Sequence, residues 1–249
     1  LQDATVEKRT PSINMPVIRA ILFDLDDTLW PIVPVIQRAE TMLHDWLTQH
    51  APAVARQFSI DALRERRKAL MASDPVYQLD LRALRHAGLV EAFLAAGEDI
   101  AMVDQAMTVF SRARNEVTPF PDVLPSLARL HRRIALGTVS NGVADLEKIG
   151  IAHYFQASVA AHHFGSAKPD PAIFLAACDA LQVAPQEAAY VGDDPLLDVE
   201  GAQKAGLRGI WINRMAPEAA RILPGHVRPD TICASFDDLE RWLASTQTI

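Results

Sequence analysis

Three carboxylates stand within four residues at the end of an apolar run. The stretch Ile18–Pro31 reads IRAILFDLDDTLWP, and Asp24, Asp26 and Asp27 follow directly on AILF. Like charges this close disfavour one another's ionisation, so the cluster implies a positive charge among them or a carboxyl that carries a proton. Alternation along a strand points Asp24 and Asp26 the same way and Leu25 the other. Two carboxyls so placed can divide one reaction between them. Asp24 can attack a phosphorus atom as nucleophile, while Asp26 gives a proton to the leaving oxygen and then takes one from water. Thr28 shares that face and is expected to fix the loop by hydrogen bonding. Taken alone, the pentapeptide DLDDT also reads as an acidic turn whose carboxylates cap backbone N–H groups.

Three further stretches carry complementary chemistry. In GTVSNG, Ser140 offers a hydroxyl to a phosphoryl oxygen, and Asn141 and Gly142 offer backbone N–H groups beside it. An isolated SNG after a strand is a turn; it counts here through its companions. In SAKPDPAIF, Asp170 suits a helix N-cap and Pro171 the first helical position. Lys168 therefore sits just before a helix N-terminus, where the dipole gives a cation nothing. That conflict assigns it a tertiary task, binding phosphate and neutralising the acids. In YVGDDPLLDVEGA, Asp193, Asp194 and, a turn later, Asp198 follow an apolar run, and Gly192 permits close approach of the backbone. Hard oxygen ligands on loops suit Mg²⁺, which takes one or two protein carboxylates plus water and substrate phosphate. Asp24, the backbone carbonyl of Asp26 and Asp193 form such a set. Asp194 is a further ligand, direct or through water, and Asp198 is placed to orient Lys168 or a metal-bound water.

These residues need a scaffold that gathers four separate stretches. IRAILFDLD, RRIALGTVS, SVAAHHF, AAYVGDD, RGIWINR and TICAS are near-continuous apolar runs, the mark of strands buried on both faces. Helical patterns separate them. Repeated strand–helix units imply right-handed crossovers and a parallel sheet between helices, an α/β fold. Ligands in such sheets bind beyond the carboxyl ends of the strands, which is where all four stretches fall. Between the first two runs, residues 33–116 carry no strand signal and divide by apolar periodicity into about four amphipathic helices, with VYQLDLRALRHAGLVEAFLAAG read as one of them. Pro31 and Pro34 punctuate the start of this insert and TPFP, Thr118–Pro121, its end. The expected organisation is a mobile polar leader at 1–15, a core of 16–32 and 117–249, and a helical insert at 33–116.

Composition sets the outer bounds. A chain of 249 residues with 49% apolar residues can bury a real core, and a net charge of −7 lacks the basic stripe of a nucleic-acid binder. Cys178 and Cys233 are too few for a disulfide framework or a zinc site, and fit a reducing cytoplasm as plain core thiols. No window approaches the roughly 18 apolar residues of a membrane span, and LQDATVEKRTPSINMP lacks the apolar segment of a secretory signal. Trp30 reads as a packing residue at the hinge, with stacking on a substrate ring as the alternative. His162 and His163 have no Cys or Glu at ligand spacing and read as strand-end or loop residues. SDPVYQLD reads as a loop between helices.

Together, DLDDT, SNG, the Lys before PDP, and GDDPLLD resemble the four signature motifs of the haloacid dehalogenase (HAD) superfamily, in the pattern of its phosphatase branch, over about Ile18–Asn213. The resemblance implies a Rossmann-like core and an aspartyl-phosphate intermediate on Asp24. It also implies an acid/base role for Asp26, phosphate contacts from Ser140 and Lys168, and Mg²⁺ held by Asp24, Asp26 and Asp193. An insert directly after the first motif is similar to the helical cap of subclass I. ILFDLDDTLWP, PVIQRAE and GDDPLLDVEGAQKAGLRGIWINR are similar, further, to bacterial flavin mononucleotide phosphatases, which also dephosphorylate 5-amino-6-(5-phosphoribitylamino)uracil. The implied function is Mg²⁺-dependent hydrolysis of a small phosphorylated metabolite in the cytoplasm, with neither nucleic acid nor membrane as partner. A phosphomutase of the same superfamily would need a bisphosphate activator. A phospho-accepting regulatory module would lack the acid two residues beyond the nucleophile and the large insert. A dehalogenase shares the nucleophile but needs neither Asp26 nor Mg²⁺.

Overall fold

Ala20, Ile21, Leu22 and Phe23 form β1 (Ala20–Phe23), and none of the four exposes any surface, as an uninterrupted apolar strand covered on both faces requires. The computed structural model describes residues 16–214 and 221–246, so the leader expected at 1–15 lies outside the described residues. β1 is joined by β2 (Ala135–Ser140), β3 (Ala157–Ala160), β4 (Ala188–Gly192), β5 (Arg208–Ile212) and β6 (Thr231–Cys233). The sheet runs β3-β2-β1-β4-β5-β6 with every pairing parallel. This is the α/β, Rossmann-like architecture expected. The order reverses between β1 and β4, and the crevice at such a reversal is where parallel sheets take ligands. Phe23 pairs with Thr138 on one side and Val191 on the other, so the chain leaves β1, β2 and β4 at nearly one level.

Between β1 and β2 the chain builds the insert from α1 (Ile32–His50), α2 (Pro52–Gln57), α3 (Ile60–Ser73), α4 (Val76–Leu79), α5 (Leu81–Ala96) and α6 (Val103–Arg114). Their apolar stripes close on a cluster of their own that includes Leu43, Leu47, Phe93, Val103 and Phe110. This helical cap therefore carries a core distinct from the sheet's. It differs from the sequence expectation in two places. The segment read as one helix from Val76 breaks at Asp80, whose carboxylate accepts the N–H groups of Arg82 and Ala83 and so caps α5. SDPVYQLD, read as a loop, holds α4. Both α2 and α4 are too short to show a helical period.

The sheet is covered on both faces. On one, Phe23 stacks on Phe236 with ring centroids 5.3 Å apart, beneath α7 (Val123–Leu130). The short α8 (Leu146–Ile149) and α9 (Ala161–Phe164) follow β2 and β3, and α9 carries His162 and His163 on a helical turn rather than in a loop. On the other face Leu22 and Tyr190 pack under Phe174 of α10 (Pro171–Ala180). A π-helical turn, Pro195–Glu200, leads into α11 (Gly201–Lys204). The last helix is α12 (Phe236–Thr246). Cys178 and Cys233 are buried free thiols. No helix among the described residues is long and apolar enough to cross a membrane.

Candidate active site

Asp24 is the first residue beyond β1, anchored by its N–H donating to the Val191 carbonyl at 2.9 Å. Lys168, from the loop before α10, reaches it across the sheet end. The Lys168 ammonium donates to Asp24 Oδ1 at 2.5 Å, to Asp198 Oδ1 at 2.6 Å and to the Tyr190 hydroxyl at 2.9 Å. All three of its N–H donors are thus placed on protein groups. Tyr190 in turn donates to the Val139 carbonyl at 2.7 Å. Burial pulls the Lys168 ammonium down, but Asp198 and Asp24 outweigh it and hold the group well above its ordinary value. Burial pushes the Asp24 carboxyl well up, Lys168 opposes that, and Asp198 and Asp26 add to it. Lys168 is thus shared by two carboxylates, Asp24 and Asp198.

Asp26 lies beyond the end of β1, close enough for its charge to push Asp24 up, and faces the cap. Arg114, the last residue of α6, places Nη2 at 2.8 Å from both of its oxygens. Trp30 Nε1 donates to Oδ1 at 2.9 Å. Trp30 is fully buried, so it packs the hinge and orients Asp26 and does not stack on a ligand. Thr28 is also fully buried, yet its hydroxyl finds no hydrogen-bond partner among the described residues. The hydrogen bonding expected of its side chain is absent because the loop closes on its own backbone, with the Asp27 N–H donating to the Trp30 carbonyl at 2.7 Å and the Leu29 N–H to Leu25 at 2.8 Å.

At the end of β2, Ser140 Oγ accepts the Gly142 N–H at 3.0 Å and closes the turn. A Cβ on Gly142 would stand 3.0 Å from Asp26 Oδ2 and 3.3 Å from Ser140 Oγ, so the turn lies directly against the acid. Asn141 works through its side chain as a clamp: Oδ1 accepts the Lys168 N–H at 2.8 Å and Nδ2 donates to the Lys168 carbonyl at 3.0 Å. The second and third stretches are thereby locked together.

Beyond β4, carboxylate oxygens of Asp24, Asp193 and Asp198 lie within 4.8 Å of one another. Burial pushes Asp193 up to about 7, Asp198 adds to that, and Arg221, paired with it at 3.0 Å, opposes it. Asp198 has both oxygens engaged, one on Lys168 and the other accepting the Asp194 N–H at 2.9 Å. It positions the loop and the lysine. A Cβ on Gly192 would lie 2.3 Å from that carboxylate, which restricts the position to glycine. Asp194 turns away from the cluster: Oδ1 accepts the N–H groups of Leu196 and Leu197 at 2.9 and 3.0 Å, and Oδ2 pairs with Arg221. Its carboxylate is an N-cap, not the direct ligand that the sequence left open. The remaining donors, Asp24 and Asp193, are hard carboxylate oxygens that burial drives towards protonation, a set that fits a divalent cation.

Arg114, Tyr190 and Arg221 escape sequence reasoning. Arg114 touches a residue 88 positions away, and nothing local in SRARNE marks it. Tyr190 reads as one more apolar strand residue, and its phenol matters only because Lys168 arrives beneath it.

Comparison with known proteins agrees with this geometry. Residues 18–206 match the haloacid dehalogenase-like hydrolase family. The chain is 32% identical over 199 residues to a 5-amino-6-(5-phospho-D-ribitylamino)uracil phosphatase of Escherichia coli, covering 78% of this chain and 83% of that one. It is 30% identical over 245 residues to a phosphoserine phosphatase of Thermus thermophilus, covering 83% and 94%. Among solved structures, a 2-haloacid dehalogenase from Pseudomonas syringae superposes with a TM-score of 0.84 at 37% identity, over 92% of this chain and 99% of that one. The chain belongs to the haloacid dehalogenase-like hydrolase family and is an enzyme of its phosphatase branch.

Proposed function

We propose that this protein is a Mg²⁺-dependent phosphomonoester hydrolase that works through an aspartyl-phosphate on Asp24. The observation that carries the reading is the pairing of a buried Asp24, fixed by a Lys168 that Asp198 holds in turn, with a nearby second acid, Asp26, held from the cap. Lys168 holds Asp24 Oδ1 and leaves Oδ2 to attack phosphorus in line. As the ester P–O bond breaks, Asp26 gives its proton to the departing alcohol oxygen. Water then attacks the phosphorus of the acyl phosphate and passes a proton to Asp26, releasing phosphate and restoring Asp24. Ser140, whose Oγ accepts the Gly142 N–H, turns its own O–H to a phosphoryl oxygen, and the backbone N–H of Asn141 stands beside it. Lys168, whose donors all rest on Asp24, Asp198 and Tyr190, acts chiefly by positioning Asp24 and offsetting its charge. Asp24, Asp193 and the Asp26 backbone carbonyl would hold Mg²⁺, with Asp194 and Asp198 supporting that loop. When bound, Mg²⁺ supplies charge neutralisation between the carboxylates and the substrate phosphate.

Asp26 and Asp193 favour hydrolysis of phosphate esters over dehalogenation, which needs neither. The cap, taken as residues 33–116, closes over the core strand ends and excludes water. The two buried free thiols fit a reducing cytoplasm. The Escherichia coli relative favours 5-amino-6-(5-phospho-D-ribitylamino)uracil as substrate, to which the sequence resemblance adds flavin mononucleotide; the Thermus thermophilus relative favours phosphoserine. Phosphate release from these esters with and without Mg²⁺, with Asp24→Asn as control, tests the reading. Release that needs both Mg²⁺ and Asp24 supports it; metal-independent release, or none from any ester, refutes it.

A further inference from the structure

Three arginines of the cap share one buried acid, Glu40, and Arg85 holds the most distant place. Glu40 is 4% exposed, and accepts from Arg64 Nε at 2.7 Å and from Arg67 Nη2 at 2.5 Å, so each of its oxygens already faces a guanidinium. Arg85 approaches it only to 3.8 Å, beyond hydrogen-bond reach. The Arg85 side chain is 12% exposed, its guanidinium lies 3.5 Å over the Phe110 ring, and Nη1 is buried with no hydrogen-bond partner among the described residues. Burial pulls the group down to about 9; Arg67 adds to that and Glu40 opposes it.

This poorly compensated cation lines a cleft that reaches the second acid of the site, Asp26. Arg85, Arg114, Asp26 and Gly142 border one space of about 2210 Å³ between cap and core. Arg114 repeats the pattern beside the acid, with Nη2 spent on Asp26 and Nη1 buried without a partner. The cleft exceeds the roughly 300–1,000 Å³ that encloses most small ligands, so there is room for an alcohol half extending from the phosphate site towards α5. A buried guanidinium that shares one carboxylate with two closer arginines is poorly compensated, and a ligand anion removes that cost. The planar fork of arginine matches carboxylate and phosphate oxygens in pairs. An uncharged ring carbonyl could accept the hydrogen bond but would leave the charge poorly compensated.

We propose that Arg85 is the receptor for a second anionic group, a carboxylate or a second phosphate, on the alcohol half of the substrate. The enzyme then favours doubly anionic esters over phosphate esters of neutral alcohols, including flavin mononucleotide. This rests on the hydrolase reading and selects among its substrates.

The test compares 3-phosphoglycerate and glycerol 1,3-bisphosphate with glycerol 3-phosphate, one carbon frame with and without the second anion. For the wild-type chain with Mg²⁺, kcat/KM for a doubly anionic ester exceeds that for glycerol 3-phosphate by about 10- to 100-fold, as a charged hydrogen bond implies. Whether the carboxylate or the bisphosphate gives the gain identifies the anion. In Arg85→Gln the ratio collapses towards one, mainly through KM, and Arg85→Lys, which keeps the charge, retains part of it. A wild-type ratio of one or below overturns the proposal whether or not the variants fold, as does an undiminished ratio in folded Arg85→Gln. If no ester is turned over, calorimetric titration of Asp24→Asn with 3-phosphoglycerate and glycerol 3-phosphate separates the two readings. Selective binding of the first would sustain the anion site while refuting the hydrolase; equal binding, or none, overturns the site.

Discussion

Arg114 Nη2 lies 2.8 Å from both carboxylate oxygens of Asp26, so the last residue of the cap's last helix holds the second acid of the core. The guanidinium is almost wholly buried, and removing it leaves Asp26 tethered by Trp30 alone. Arg114→Met should lower kcat by about 100-fold, the lower range of a general acid–base contribution, with a smaller change in KM. Arg114→Lys should recover part of the loss. Steady-state kinetics on variants with matched melting temperatures check this; unchanged kcat would reduce Arg114 to a hinge contact.

Asp193 makes stability of the metal-free protein depend on pH. Its carboxyl is pushed from 3.8 to about 7, chiefly by burial. Between those values the native state holds a proton that the unfolded chain has lost, so stability from this group falls as pH rises from about 4 to 7. Asp193→Asn should therefore melt higher than the metal-free wild type at about pH 8, by at most about 4 kcal/mol, and show no such gain at about pH 4. Mg²⁺ should raise the wild-type melting temperature at the higher pH and leave the variant nearly unmoved. A variant that responds equally to Mg²⁺ would remove Asp193 from the metal set.

Gly192 should tolerate no side chain. A Cβ there would come within 2.3 Å of the Asp198 carboxylate, which is itself pinned by Lys168 and the Asp194 N–H. Gly192→Ala should cost about 2–3 kcal/mol of stability by overpacking and displace Lys168 from Asp24. Denaturant unfolding and turnover, measured together, report both effects.

The two cysteines should be inert in the folded protein. Burial pushes the thiols of Cys178 and Cys233 up to about 11, so little thiolate forms at neutral pH. Titration with a disulfide reagent should find neither thiol in native buffer and both in denaturant.

What could be read beforehand, and what could not, follows from the range of each interaction. β1 and β4 are legible because a strand buried on both faces has to be an unbroken apolar run. Asp24, Asp26, Ser140, Lys168 and Asp193 are legible because each closes such a run or opens the helix after it. Thr28 shows where that reading stops. Asp27 turns through a positive φ beyond the end of β1, so Thr28 lies in a turn where strand alternation no longer applies, and its hydroxyl has no partner among the described residues. Asp194 is spent as a helix cap, a local competitor that residue type alone does not separate from a metal ligand. Arg114 and Arg85 depend on how the cap settles over the core, and that placement is set by packing between elements distant in the chain.

The most direct test of the central claim is acid-quenched single turnover with a hydrolysed ester and Mg²⁺, followed by peptide mass analysis. The account predicts a transient phosphoryl group on the peptide bearing Asp24, formed no later than the alcohol is released and absent in Asp24→Asn. Full turnover without that adduct, or an active Asp24→Asn enzyme, would contradict it.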